Sequence, residues 1–283
     1  MAGSTTRARP TRAQRAEAKR RERVKKMRSR AGSRYRIHYD IDGPRVRLGL
    51  LWFAGAVVAF ALGSVAVALY FGLAFAAAGS HALRTWRARG APVDPRVALI
   101  GVAVVVAGAA VHPRAMGVAL LAVTAAVVVL GAREGGGGAA AGVARASLVL
   151  QCTVPVAVAG GCFVLLHELE PWAAIALLLL TSAYETGDFL IGSGSSTSFE
   201  GPVAGGLAVV VLAFAVAAFG FPPFGVGEAL AFGALVAPGA FAGQLLASVV
   251  LPHARALAPA LRRVDSLLVV APLWYLGVDV LVA

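Results

Sequence analysis

The sequence has little cysteine and lacks a nucleotide-binding glycine motif. Its two cysteines, Cys152 and Cys162, lie ten residues apart in one apolar run, so a helix would place them on different faces. This spacing favours two small buried hydrophobic side chains over a disulfide or a metal site. The glycine-rich run at 131–142 has no following Lys-Ser or Lys-Thr and no preceding strand. It therefore predicts a flexible connector rather than a phosphate-binding loop.

Lysine is absent after Lys26, and the excess positive charge is confined to the N-terminal segment. The formal net charge is +12, and residues 1–47 hold 16 of the 26 Lys and Arg residues against four acids, which accounts for the whole excess. Because this segment has no apolar stripe at helical spacing, we expect a disordered cytosolic tail. A polybasic segment gains about 1 kcal/mol per basic residue near anionic lipid, so anionic membrane lipid is the predicted partner of this tail. Nucleic acid is not a favoured partner, since aromatic or motif support is missing.

Long apolar runs dominate the rest of the chain. The sequence is 59% hydrophobic with a mean hydropathy of +0.78, and it predicts an all-α integral membrane protein of about nine transmembrane helices. The run at 48–83 is too long for one crossing and is divided near Gly63. The later crossings are predicted at 97–112, 116–132, 143–166, 171–192, 202–220, 226–251 and 264–282. The predicted units are the tail at 1–47, membrane helices with the connector at 48–142, and C-terminal membrane helices at 143–283.

The arginines beyond the tail predict the orientation, because cytosolic loops of membrane proteins are enriched in basic residues. With a cytosolic N-terminus and nine crossings, nine of these ten arginines fall inside and only Arg114 falls outside. The inside arginines are Arg84, Arg87, Arg89, Arg96, Arg133, Arg145, Arg255, Arg262 and Arg263. The nine-crossing prediction is therefore self-consistent.

Two carboxylates mark the end of the predicted crossing at 171–192. Glu185 and Asp188 are three residues apart, so a helix places them on one face. An ionised carboxylate deep in a membrane costs about 2.5–3.5 kcal/mol, which favours a cavity, a partner or the interface. A polar cavity with a metal or headgroup, and an exposed helix end, both stay open. The surroundings are rich in oxygen and lack histidine, so they suit Mg²⁺ better than zinc.

The last predicted loop combines basic and acidic residues. Arg262 and Arg263 precede Asp265, which itself precedes the final apolar run. This pattern is typical of a helix N-cap with positive-inside arginines, and equally of a phosphate site. Glu200 lies near the predicted start of the next helix after the 171–192 crossing, where it would interact with the helix dipole.

Three segments of the C-terminal half carry motifs in a recognisable order. They are ETGDFLIG at 185–192, FEGPVAGG at 199–206, and Gly243-Gln244 followed by RVDSLL at 263–268 with Ala271-Pro272 and Tyr275. This ordered set resembles the phosphatidate cytidylyltransferase (CDP-diacylglycerol synthase) family of integral membrane enzymes. Asp188 stands where the family has alanine, so its pairing with Glu185 is this chain's own feature.

The resemblance implies a plasma-membrane enzyme with a cytidylyltransferase-like C-terminal half. Such an enzyme joins CTP and phosphatidate, or a related lipid phosphate, to give a CDP-lipid and pyrophosphate with Mg²⁺. For such an activity in this chain, the predicted catalytic and Mg²⁺-binding residues are Glu185, Asp188 and Asp265. The predicted substrate contacts are Arg262, Arg263, Ser266, Glu200 and Gly201.

Some positions depart from the family pattern. Ser195, Ser196 and Thr197 replace the family's lysines, Arg262 replaces the first aspartate of the closing motif, and no acid stands shortly after Gly243-Gln244. A catalytically degenerate relative that serves as a lipid-binding or scaffolding subunit is therefore the alternative. A small-solute transporter is a third option, although its acids would be expected nearer the centres of crossings. The oligomeric state is left open, with a homodimer as one option.

Overall fold

The structure is a computed structural model that describes residues 45–133, 138–193, 199–253 and 256–282, with side chains from Gly49 onward. Within these ranges the chain forms ten α-helices and no strand. They are α1 (Arg45–Leu62), α2 (Ser64–Arg87), α3 (Pro95–Ala109), α4 (Pro113–Arg133), α5 (Ala139–Leu169), α6 (Pro171–Gly192), α7 (Glu200–Phe219), α8 (Val226–Val250), α9 (Leu261–Val264) and α10 (Leu267–Val282). The predicted all-α fold is confirmed, whereas most of the basic segment at 1–47 lies outside the described residues.

The helix boundaries follow the predicted apolar runs. Gly63 alone separates α1 from α2, at the predicted division of the run at 48–83. Among the described residues, seven helices are long and apolar enough to cross a membrane, with 261–282 counted as one. Two shorter apolar helices, Gly49–Leu62 within α1 and Pro95–Ala109, accompany them. The chain is therefore a membrane-embedded, multi-pass protein.

The outer surface of the bundle is apolar. Leu121 and Val211 are each 72% exposed, and Phe219 is 81% exposed. Such a surface is unfavourable in water and favourable in hydrocarbon, which supports a lipid environment. The interior is rich in alanine and valine, and Cys152 and Cys162 are buried free thiols there. The predicted role of the cysteines as small buried side chains is confirmed.

Contacts between helices show which helix ends lie on the same side of the bundle. At the proximal end, where α1 begins, the indole of Trp86 in α2 donates to the carbonyl of Val250 in α8 at 2.9 Å. At the distal end, the ring of Phe60 in α1 lies 5.2 Å from the ring of His167 in α5. The C-terminal ends of α2 and α8 therefore share one side of the bundle, and those of α1 and α5 share the other. This is the arrangement that long helices of alternating direction produce.

Helices α6 and α7 pack backbone against backbone. A Cβ atom on Gly205 would lie 2.7 Å from the carbonyl oxygen of Tyr184, and one on Gly187 would lie 2.8 Å from the carbonyl oxygen of Ala204. Glycine at both positions permits this approach, as in other closely packed membrane helices. The contact fixes the position of α6, the helix that carries the first pair of predicted site residues.

We expect Gly205→Ala to lower the free energy of unfolding by about 1–3 kcal/mol, because the added methyl group would overlap the backbone of Tyr184. Gly206→Ala is the matched control, since its Cβ would meet only the Cβ of Ala237 at an ordinary 3.6 Å. Thermal unfolding of the protein in detergent, followed by tryptophan fluorescence, measures both variants. Equal unfolding temperatures for the two would contradict the close packing of α6 and α7.

Candidate functional site

A cavity of about 520 Å³, which we call the pocket, opens at the proximal end of the bundle. Its wall comes from the first turns of α1, the last turns of α6, part of α8 and the segment at 262–267. The wall includes six of the predicted site residues, namely Glu185, Asp188, Arg262, Arg263, Asp265 and Ser266. The fold therefore brings the acidic end of α6 next to the arginines that follow α8 in the sequence.

Helix α6 supplies two of the pocket carboxylates. Glu185 and Asp188 share one face of the helix, as their spacing predicts, and Thr181 lines the pocket one turn before Glu185. Asp188 is only 3% exposed and Glu185 is half-buried. For Asp188 the structure thus favours the cavity interpretation over an exposed helix end. A carboxylate this deeply buried requires hydrogen-bond donors.

The side chain of Gln244 on α8 supplies one such donor. Its Nε2 donates to Oδ2 of Asp188 at 3.0 Å, and the hydroxyl of Tyr184 donates to its Oε1 at 3.5 Å. All three side chains are buried. Gln244 was not among the predicted site residues. A polar amide inside the apolar run of α8 could have indicated a site residue. The hydrogen bonds link α6 to α8 at the base of the pocket.

The segment at 261–268 places a guanidinium and a carboxylate side by side. Nη1 of Arg262 donates to Oδ2 of Asp265 at 3.4 Å and to Oγ of Ser248 on α8 at 3.2 Å. Asp265 directly follows the short helix α9 as its C-terminal cap residue. The two side chains are 14% and 7% exposed, so this ion pair is largely buried. A buried pair of this kind is held by geometry and by its further hydrogen bonds.

Two contacts fix the same segment between α6 and α8. The hydroxyl of Ser266 donates to Oε1 of Glu185 at 2.5 Å. On the other side, Gly243 of α8 leaves room for the chain, because a Cβ atom there would overlap the carbonyl oxygen of Asp265. The three parts of the wall are therefore joined directly across the pocket.

Helix α1 forms an apolar side of the pocket. Leu50 and Trp52 line it, and a Cβ atom on Gly49 would lie 3.0 Å from Nη1 of Arg263. The hydroxyl of Tyr70 in α2 donates to the carbonyl of Trp52 at 2.6 Å, and the two rings pack at 4.8 Å between centroids. Helix α2 thus holds α1 in place, and Arg263 faces the backbone of α1.

Two predicted substrate contacts lie apart from the pocket wall. Glu200 is the exposed first residue of α7, and Gly201 after it is buried. The carboxylate of Glu200 lies in the first turn of α7, where it interacts favourably with the helix dipole. Ser195, Ser196 and Thr197 lie outside the described residues. A substrate role for Glu200 or Gly201 stays a prediction.

The pocket carboxylates do not form a metal cage by themselves. In the described ranges, no group of three or more His, Cys, Asp or Glu side chains could hold a metal ion. Mg²⁺ commonly takes one or two carboxylates together with phosphate oxygens and water. The donor set therefore fits a cation that enters with a phosphate better than one held by the protein alone, and Mg²⁺ stays a prediction.

No protein family, curated protein or solved structure matches the chain. The resemblance to phosphatidate cytidylyltransferases therefore stays a prediction based on motifs, and the geometry of the pocket carries the functional argument.

Gln244→Leu is expected to lower the free energy of unfolding by about 1–3 kcal/mol, because Asp188 would stay buried without its amide donor. Adding Asp188→Asn should recover part of this loss, since a neutral amide is easier to bury than a carboxylate. Gln151→Leu is the matched control, because the amide of Gln151 also donates a hydrogen bond to α8, at the carbonyl of Val249, but Gln151 is exposed. We expect the control to change stability by less than about 0.5 kcal/mol.

Thermal unfolding of the four proteins in one detergent compares these effects. If Gln244→Leu were as stable as Gln151→Leu, the buried link between α6 and α8 would not contribute to stability as described.

Proposed function

We propose that the chain is a membrane-embedded, CTP-dependent cytidylyltransferase that acts on phosphatidate or a related lipid phosphate. The single observation that carries this proposal is the pocket, where two carboxylates of α6 face two arginines, an aspartate and a serine of the segment at 262–266. Carboxylates and guanidinium groups at one end of an otherwise apolar bundle suit a ligand that has phosphates and lipid chains.

The apolar part of the pocket supports a lipid as the acceptor. Leu50 of α1 and Leu190 of α6 both line the pocket, and they are 66% and 68% exposed. Helix α1 packs mainly against α2, so the edge of the pocket between α1 and α6 faces the surroundings of the bundle. In a bilayer these surroundings are lipid chains. Acyl chains of a bound lipid could thus remain in hydrocarbon while its phosphate contacts the arginines.

The proposed reaction transfers a cytidylyl group between phosphates. An oxygen of the lipid phosphate attacks the α-phosphorus of CTP, the bond between the α- and β-phosphates breaks, and pyrophosphate leaves. Guanidinium groups stabilise the negative charge that develops on the phosphates. We assign this role to Arg263. Glu185, which accepts a hydrogen bond from Ser266, positions the nucleotide in this proposal.

Charge balance supports a cation that arrives with the ligand. The pocket wall has two arginines against three acidic residues, so its formal charge is negative when all five are ionised. A phosphate ligand adds further negative charge, and the repulsion is strong at low dielectric. Mg²⁺, when bound with the phosphates, shields this charge, which is why it belongs to the proposal.

We place the pocket on the cytosolic side, in a plasma-membrane protein with nine crossings and a cytosolic N-terminus. The distribution of arginines supports this orientation. The pocket unites the start of α1, the end of α6, the later part of α8 and the segment before α10. These are the chain segments that nine alternating crossings would place on the side of the N-terminus, where CTP is available.

A second candidate is a lipid-phosphate-binding subunit without catalytic activity. The favouring observation is that Asp188 and Asp265 are already held by Gln244 and Arg262, as in a structural network. The absence of lysine after Lys26 removes cations that the resemblance implies near the nucleotide.

Purified protein in detergent or lipid nanodiscs, incubated with Mg²⁺, CTP labelled in the cytidine and phosphatidate, should convert label into lipid-soluble product. Arg263→Gln should lower the rate at least about tenfold, because it removes a charge-assisted phosphate contact. Arg114→Gln is the matched control, since Arg114 is exposed at the start of α4, and it should retain the full rate.

No labelled lipid with any of several lipid phosphates would contradict the enzymatic proposal. Phosphatidate binding that persists in that case, and weakens in Arg263→Gln but not in Arg114→Gln, would identify the non-catalytic subunit instead.

Cysteine labelling tests the orientation. In a background with Cys152→Ala and Cys162→Ala, Arg89→Cys is expected to react with a membrane-impermeant maleimide only from the cytosolic side. Arg114→Cys should react only from outside, and both native residues are exposed. Labelling of both cysteines from the same side would exclude the alternating arrangement of α3.

A further inference from the structure

The two adjacent arginines of the pocket have different surroundings. Arg262 donates to Asp265 at 3.4 Å and to Ser248 at 3.2 Å, and its side chain is 14% exposed. The guanidinium of Arg263 instead lies against α1, beside Gly49. One arginine is thus directed into the interface with α8, and the other towards the opposite wall of the pocket.

The partners of Arg262 are themselves held in place. The hydroxyl of Ser248 donates to the carbonyl of Gln244 at 3.0 Å, and Ser248 is 1% exposed. Gly243 of the same helix contacts the backbone of Asp265 so closely that no side chain fits between them. This contact fixes the backbone of Asp265 against α8, and its buried carboxylate lies 3.4 Å from Nη1 of Arg262.

We infer that Arg262 is the permanent cation of Asp265, and that Asp265 is a positioning residue rather than a ligand for a divalent cation. A guanidinium keeps its positive charge under all conditions in which the protein folds. A divalent cation on the same carboxylate would lie close to this charge and be repelled. The inference changes the predicted roles of both residues: Arg262 occupies the position beside Asp265 where the family resemblance led us to expect Mg²⁺.

In this arrangement, a divalent cation that enters with a phosphate ligand binds on the α6 side of the pocket. There Glu185 and Asp188 present carboxylate oxygens from one helix face. Arg263, next to α1, contacts the phosphate. This division of roles rests on the proposed function for its ligand, whereas the pairing of Arg262 with Asp265 does not.

Mn²⁺ binding without nucleotide or lipid tests the pairing in the full-length protein. We expect Arg262→Gln to unfold at least about 5 °C below the wild type, because it removes the positive charge 3.4 Å from the buried carboxylate of Asp265. Millimolar Mn²⁺ should recover part of this loss by binding at Asp265. The double variant Arg262→Gln with Asp265→Asn should be insensitive to Mn²⁺, and Arg262→Lys should behave like the wild type.

A second measurement follows bound Mn²⁺ by electron paramagnetic resonance in the presence of phosphatidate. Because Asp265→Asn alone removes the carboxylate that Arg262 contacts at 3.4 Å, the double variant is used for this comparison. It should bind Mn²⁺ within about twofold of the wild type, whereas Glu185→Gln should weaken binding about tenfold. Thermal unfolding needs no ligand, so failure of the CTP assay leaves the first test intact.

Two results would overturn the inference. One is an Arg262→Gln protein that is as stable as the wild type and does not respond to Mn²⁺. The other is a loss of Mn²⁺ binding in the double variant as large as that in Glu185→Gln, which would make Asp265 a metal ligand.

Discussion

Burial of charge inside an apolar bundle is the constraint on which the pocket depends. A carboxylate removed from water is stable only if donors replace the lost solvent. Each pocket carboxylate accepts from a side chain: Asp188 from Gln244, Glu185 from Ser266 and Asp265 from Arg262. The first bond joins α8 to α6, and the second joins the segment before α10 to α6. Arg262 lies in the same segment as Asp265 and joins it to α8 through Ser248. The requirement to satisfy the charges is therefore also what holds the proximal ends of these helices together.

Two glycines let the backbone segments around these hydrogen bonds approach each other closely. Gly205 allows α7 to press against α6, and Gly243 allows the chain after α9 to press against α8. Side chains at the same end fix the connection that follows α8, since Trp86 donates to Val250 and His81 accepts from the backbone N–H of Ala260 at 3.3 Å. The position of the arginines thus depends on α2 as well as on their own short helix.

Local patterns in the sequence were sufficient for the helices and for part of the site. Apolar runs interrupted by glycine and charge predicted the helix boundaries, including the division at Gly63, and helical spacing predicted the shared face of Glu185 and Asp188. The partner of Asp188 could not be read from periodicity, because Gln244 lies two helices later and meets it only through packing. Arg262 and Asp265 are only three residues apart, but the contact of Arg262 with Ser248 of α8 likewise forms only through packing.

The length of the first helix gives the pocket a particular relation to the bilayer. The apolar part of α1, Gly49–Leu62, spans only about 21 Å at the rise of an α-helix, against about 30 Å of hydrocarbon. A short helix is accommodated when the bilayer becomes thinner around it. Because α1 is a wall of the pocket, such thinning would occur beside Arg263. Lipid headgroups would then lie deeper at this edge of the protein than elsewhere, close to the depth of the Arg263 guanidinium in the pocket.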